Sequence, residues 1–239
     1  MDVIWVALAL CMFLGCMVQT AMGFGAAVVV APVMVLLKPE WVPYIITVNV
    51  LFISLFISWR SRDALQIREL APAFIARIPG AALGAWLLLQ VDVVMLQLIV
   101  ALSVLLAVAV SLFNKQFEST PTRLGAAAFV SGVLGTATAI GGPPMALVMQ
   151  HGSPDTVRAN LALYFAYSCV IGLLSYYFSG LLDVNLLIDS AGFLPVSLAG
   201  VIAGRKLRGF VDAGRFRSML LLLCTASGLV ALVGAIAKW

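Results

Sequence analysis

Two stretches of this chain set glycine, proline and small polar residues into the middle of otherwise apolar sequence. The first reads Gln19-Thr20-Ala21-Met22-Gly23-Phe24-Gly25, with Pro32 downstream; the second reads Thr136-Ala137-Thr138-Ala139-Ile140-Gly141-Gly142-Pro143-Pro144. Residues of these types interrupt a helix. Irregular backbone at membrane depth is tolerated only where protein or a water-filled cavity receives its free polar groups. Each restarted helix also presents unpaired N–H groups and a partial positive charge. Two such ends meeting near the bilayer midplane would hold an anion without a fully buried lysine or arginine. Gly141 and Gly142 suit a positive φ or the close approach of a ligand to the backbone, and Pro143 and Pro144 suit the first turn of a new helix. Gly23 and Phe24 form the first break, and Gly25 opens the helix that returns from it. Gln19, Thr20, Thr136 and Thr138 precede the breaks and offer amide or hydroxyl donors. The plainer alternative is that Gly and Thr only let membrane helices pack closely. A second break at a matching place weighs against it.

Other polar residues at depth have lesser claims. Asn49 and Asn160 either line a path or make interhelical hydrogen bonds, two readings that stand level. Arg77 is the clearest intramembrane cation. It is a substrate counter-charge if it faces a cavity, but it lies within two turns of a span end, so snorkelling to the interface is the expectation. Tyr164 and Tyr167 either line the path or anchor the interface. Catalysis finds little support. His151 is the single histidine and falls in a predicted loop, and Asp189 enters a span without an acidic partner in the sequence. Cys11, Cys16, Cys169 and Cys224 sit in apolar runs without metal-type spacing and read as small buried hydrophobes. No cofactor or metal is expected, and the chain does not read as an enzyme.

The elements that must position these residues are membrane spans. Of 239 residues, 63% are hydrophobic and 10% charged, against about 45–50% apolar and about 25% charged in soluble domains. Lipid is the natural solvent for such a chain. Six uninterrupted apolar runs predict spans at 41–58, 72–90, 93–113, 156–178, 184–203 and 218–237. The two interrupted stretches, 3–37 and 124–150, would be about 52 Å and about 40 Å long as straight helices, too long for a hydrocarbon core of about 30 Å. Each is predicted to bend back as a broken, re-entrant-type hairpin. Asp2 is the only charge before Lys38, so the first run lacks the basic start of a signal peptide and is kept as structure.

Arg60, Arg62 and Arg68, and the cluster Arg205, Lys206, Arg208, Arg215 and Arg217, mark two connections as cytoplasmic. Lys115, Arg123 and Arg158 then fall inside, Lys38 and Lys238 outside, and both termini outside. This threading predicts an all-α polytopic membrane protein built as an inverted repeat. Residues 1–116 form the first half and 117–239 the second, each a hairpin plus three transmembrane helices. At an offset of 116, Thr20 meets Thr136, Gly25 meets Gly141, Pro79 meets Pro195 and Gly84 meets Gly200. Asn49 and Asn160 need a different offset.

The residues around both breaks resemble the sulfite exporter TauE/SafE family, also described as toluene-sulfonate-uptake-type permeases. The resemblance rests on Gly15 to Pro32, GCMVQTAMGFGAAVVVAP, and more specifically on Gly132 to Gln150, GVLGTATAIGGPPMALVMQ. It implies a multi-pass carrier of the bacterial inner membrane for sulfite, sulfonates or related small anions. By the same resemblance, residues near Thr20, Gly25, Thr136 and Gly141 to Pro144 form the substrate site. The expected mechanism is alternating access around a midplane site, with a passive channel as the nearest rival and a membrane-embedded enzyme behind it. The expected partners are a small anion and the lipid bilayer. A homodimer is conceivable from the small residues; nucleic acid is not expected, because anionic lipid headgroups account for the basic cluster.

Overall fold

The computed structural model describes residues 3–112, 119–149, 153–211 and 215–237. Asp2, Lys115, His151 and Lys238 lie outside the described residues, as do the side chains of Arg208, Arg215 and Arg217. Among the described residues there are α-helices, short 3-10 turns and no strand. The α-helices are α1 (Val3–Met22), α2 (Ala26–Leu37), α3 (Tyr44–Arg60), α4 (Ala71–Gln90), α5 (Val93–Leu112), α6 (Pro121–Thr138), α7 (Gly142–Val148), α8 (Pro154–Phe178), α9 (Val184–Val211) and α10 (Arg215–Ile236). Among the described residues, five segments are long and apolar enough to cross a bilayer: Val3–Met22, Ile67–Gln90, Val93–Val110, Pro154–Phe178 and Val184–Leu207. Their outer faces carry exposed Ile75, Trp86, Leu102 and Phe178, as side chains solvated by lipid must. The protein is an all-α, multi-pass membrane protein.

Helix ends follow local chemistry where hydropathy alone misplaces them. α6 begins at Pro121, not at 124, because the Thr120 side chain accepts a hydrogen bond from the Arg123 N–H and Pro121 occupies the first turn. α8 begins at Pro154 for the same reason, with Ser153 accepting from the Thr156 N–H. The span predicted to end at 203 continues as helix through Val211. Arg and Lys are good helix formers, so the first charges mark the edge of the apolar region and not the end of the helix.

Both interrupted stretches are uneven hairpins. α1 has 20 residues, about 30 Å, enough to cross by itself, whereas the 12 residues of α2 reach about 18 Å. α2 folds back closely on α1: a Cβ on Gly15 would lie 2.8 Å from the Ala26 carbonyl oxygen. In the second stretch the returning helix α7 has only 7 residues.

Two tight crossings hold the molecule together. α4 crosses α6 at Gly80, Gly84 and Gly132; a Cβ on Gly132 would sit 2.8 Å from Gly80 Cα, and one on Gly84 2.5 Å from the Val133 carbonyl oxygen. α9 crosses α1 at Gly200 and Gly204, where a Cβ would run into the carbonyl oxygens of Phe13 and Met17. The contacted residues Phe13 and Phe129, Met17 and Val133, and Thr20 and Thr136 are each 116 positions apart. The glycines pair differently, Gly80 with Gly200 and Gly84 with Gly204, 120 positions apart. By contact, then, Gly84 does not match Gly200, as the constant offset had it. The slip of four residues is close to one helical turn, so the same face still meets the partner. Around these crossings α3 packs on α8 and α9, and α5 packs on α10 and α2.

Candidate functional site

The two breaks are built differently. In the first, Gly23 (φ 94°) and Gly25 (φ 118°) adopt the left-handed region that glycine enters freely. In the second the left-handed residue is Ala139 (φ 63°), while Gly141 has an ordinary φ of −94°. Gly141 is glycine for another reason: a Cβ there would lie 2.8 Å from both the carbonyl and the hydroxyl oxygen of Ser131, which donates to the Gly141 carbonyl at 2.6 Å. Gly142 packs against the opposite break, where its Cβ would lie 3.3 Å from Cβ and Cδ2 of Phe24. The two interruptions, far apart in sequence, therefore touch.

Between them lies a cavity. Gln19, Gly25, Ala27 and Val28 line it from the first stretch, and Gly135 and Ala139 to Gly142 from the second. Thr47 and Val50 of α3, Arg77 of α4, and Phe165, Ser168, Cys169, Gly172 and Tyr176 of α8 complete the wall. About 40 Å³ of the cavity is open to the centre of a water molecule, room for roughly three waters at about 10–15 Å³ each. A compact ion of a few heavy atoms is of that size. On the α2 side Val29 is the first residue whose N–H bonds back, to Gly25 at 3.1 Å. The preceding N–H groups of the first turn, those of Ala26, Ala27 and Val28, have no intrahelical acceptor.

Arg77 departs most from the sequence reading. It does not snorkel: it is 2% exposed and turns into the protein. Its Nη1 donates to the Ser131 carbonyl at 3.1 Å; its Nη2 donates to Thr136 Oγ1 at 3.2 Å and to the Ser168 carbonyl at 3.1 Å. The physical reason is the α4–α6 crossing. Arg77 shares a helix face with Gly80 and Gly84, and that face is pressed against α6.

Of the residues that the sequence singled out, Gln19, Gly25, Gly141 and Gly142 come together in the cavity wall. Thr136 stands just behind it, joined to Arg77, and its carbonyl accepts from the Tyr176 hydroxyl. Thr20 donates to the Cys16 carbonyl at 2.8 Å, and Thr138 donates to Leu134 while accepting from the Ile140 N–H. Both threonines thus satisfy their own helix. Gly23 and Phe24 shape the first break outside the wall, and Pro143 is buried in the first turn of α7. Replacing Pro143 by Ala adds only an N–H that a helix start leaves spare anyway. The expected result is transport within about threefold of wild type, measured as initial flux in proteoliposomes.

Asn49 and Asn160 lie apart from the cavity. Asn49 is fully buried, donates to the Ile45 and Ser190 carbonyls and accepts from the Ser197 hydroxyl at 2.7 Å. It pins α3 to α9. Asn49→Ala should lower stability by about 1 kcal/mol, the scale of one interhelical hydrogen-bond set, with flux per folded molecule unchanged. A thermal melt beside a flux assay reads both. Asn160 accepts from the Gln66 N–H at 2.9 Å and fastens the connection before α4. Tyr164 and Tyr167 donate to the carbonyls of Ala128 and Phe74 and also serve packing. Sequence reasoning gave Arg158 only a side of the membrane. Its Nη1 donates to the Ala21 carbonyl at 3.2 Å and its Nη2 to Asp155 Oδ1 at 3.3 Å, so it closes the last turn of α1 at the break.

No curated protein and no solved structure matches the chain. The family model described as Sulfite exporter TauE/SafE matches residues 8–231. With nearly the whole length matched, the chain belongs to the sulfite exporter TauE/SafE family, a family of membrane transporters.

Proposed function

We propose that this protein carries a small sulfur-containing or organic anion, such as sulfite or a sulfonate, by alternating access around the cavity between the two helix breaks. The observation that carries the reading is that both breaks border one small cavity, lined by Gln19, Gly25 and Ala139 to Gly142. Broken helices meeting at a buried cavity are the usual construction of a secondary-transport site. Family membership narrows the cargo to sulfur oxyanions and their relatives. The two crossings, built alike from opposite halves of the chain, support an inverted repeat. The basic residues Arg60, Arg62, Arg68, Arg205 and Lys206 support a cytoplasmic side for their connections, with both termini outside a bacterial inner membrane. The site serves transport and not catalysis.

The test is flux into proteoliposomes loaded with sulfite or methanesulfonate, with chloride as control. Saturable uptake and counterflow of one sulfur oxyanion are expected. Flux that rises linearly with concentration and shows no counterflow would replace the carrier with a channel.

A further inference from the structure

We propose that Arg77 is the counter-charge of the substrate: its guanidinium holds a univalent oxyanion in the cavity between the breaks. This rests on the transport reading above and adds to it a residue and a charge selectivity. Three observations converge. Arg77 lines the cavity and is almost wholly buried. Each of its protein partners is neutral, namely the Ser131 and Ser168 carbonyls and the Thr136 hydroxyl, and none of the ion pairs among the described residues includes it. Its Nε is buried without any acceptor.

Of the five N–H donors of a guanidinium, three are accounted for, leaving Nε–H and one hydrogen on Nη1. A buried cation lacking an anion is costly, and the cost falls when one arrives. One positive charge matches one negative charge, so a doubly charged anion would enter with a charge uncompensated. The same wall includes apolar Ala27, Val28, Val50 and Phe165, which suits an anion with one charged end and a small apolar one.

The experiment measures binding to the purified full chain by thermal shift and calorimetry, with methanesulfonate as the univalent probe and sulfate as the divalent one, beside sulfite flux. Wild type should bind methanesulfonate at least tenfold tighter than sulfate. Arg77→Gln should weaken methanesulfonate at least tenfold, and Arg77→Lys should keep part of the affinity. Because Arg77 also ties α4 to α6 and α8, Arg77→Gln risks misfolding, and a second pair of variants decides independently. A Cβ on Gly172 would lie 3.8 Å from Arg77 Nη2 with nothing nearer, so Gly172→Asp places a carboxylate beside the guanidinium. Gly172→Asp should melt higher than wild type without ligand and lose methanesulfonate binding, while the isosteric Gly172→Asn still binds. Equal loss in both Gly172 variants, or undiminished binding by folded Arg77→Gln, overturns the assignment of Arg77 while wild-type flux keeps the transport reading intact. Sulfate bound as tightly as methanesulfonate overturns the charge selectivity. Absence of both flux and binding in wild type removes the two readings together.

Discussion

A Gly142→Val protein is expected to insert, fold and purify like wild type, yet to carry the proposed sulfur oxyanion at under about one hundredth of the wild-type rate. Gly142 stands where the second break faces the first, and its Cβ would lie 3.3 Å from Phe24 and 3.7 Å from Phe165 Cζ. The first distance is tight but meets an aromatic side chain that can give by a few tenths of an ångström, so the fold should survive. The cavity should not. A methyl group takes about the room of one water molecule, and the space open to water centres, about 40 Å³, holds roughly three at about 10–15 Å³ each. The two γ-methyl groups of valine would take the place of the substrate. Gly142→Ala, with one added carbon, should fall between. Flux is read as the initial rate in proteoliposomes, normalised to protein that elutes as a single species. Normal flux in Gly142→Val would move the site elsewhere.

The second large effect concerns stability. Gly132→Ala is expected to destabilise by about 3 kcal/mol, the upper end of the range for overpacking that forces backbone to move. Its Cβ would lie 2.8 Å from Gly80 Cα, 2.9 Å from Gly80 C and 3.0 Å from Arg77 Nη1. Two of those atoms are main chain and cannot rotate away, so α4 and α6 must separate. Gly125 lies on the same helix, and a Cβ there would meet nothing nearer than 3.9 Å. Gly125→Ala should be neutral or stabilising by up to about 1 kcal/mol through helix propensity. Thermal melts of the two variants in one detergent make the comparison. Equal melting temperatures would mean that the crossing is looser than its geometry states.

How much of this could be read from the residues differs from element to element. The helix breaks were visible because Gly and Pro have backbone reasons for their positions, and the spans because lipid demands long apolar runs. The left-handed residue of the second break was not visible: alanine carries no signal for a positive φ, so Ala139 hid beside the more conspicuous Gly141-Gly142. Arg77 was misjudged because its depth was counted along the sequence from a span end. A better signal was present. Arg77, Gly80 and Gly84 fall on one helical face, and an arginine on the face that carries packing glycines must enter the protein. For Asn49 the two readings could not be separated without knowing that Ser190 and Ser197 of α9 stand opposite. The register of the internal match slipped because a four-residue shift preserves a helical face and leaves no mark in the apolar pattern.

The glycine crossings also bear on which parts of the molecule can travel as units. α1 and α4 come from the first half of the chain, α6 and α9 from the second, and each crossing fastens one helix from either half. With carbonyl oxygens seated where a Cβ would be, neither pair can slide by a residue without a collision. The sequence halves are therefore laced through one another and cannot act as the two mechanical bodies. The natural rigid pieces are the clasped pairs, α1 with α9 and α4 with α6, each carrying one of the breaks on an inward arm. What lies between them is the seam of α3 and α8, joined by side chains and hollowed by the cavity at Thr47, Val50, Phe165 and Ser168. In the alternating access proposed above, rocking would open along that seam, swinging Arg77 with one lever and Gln19 with the other.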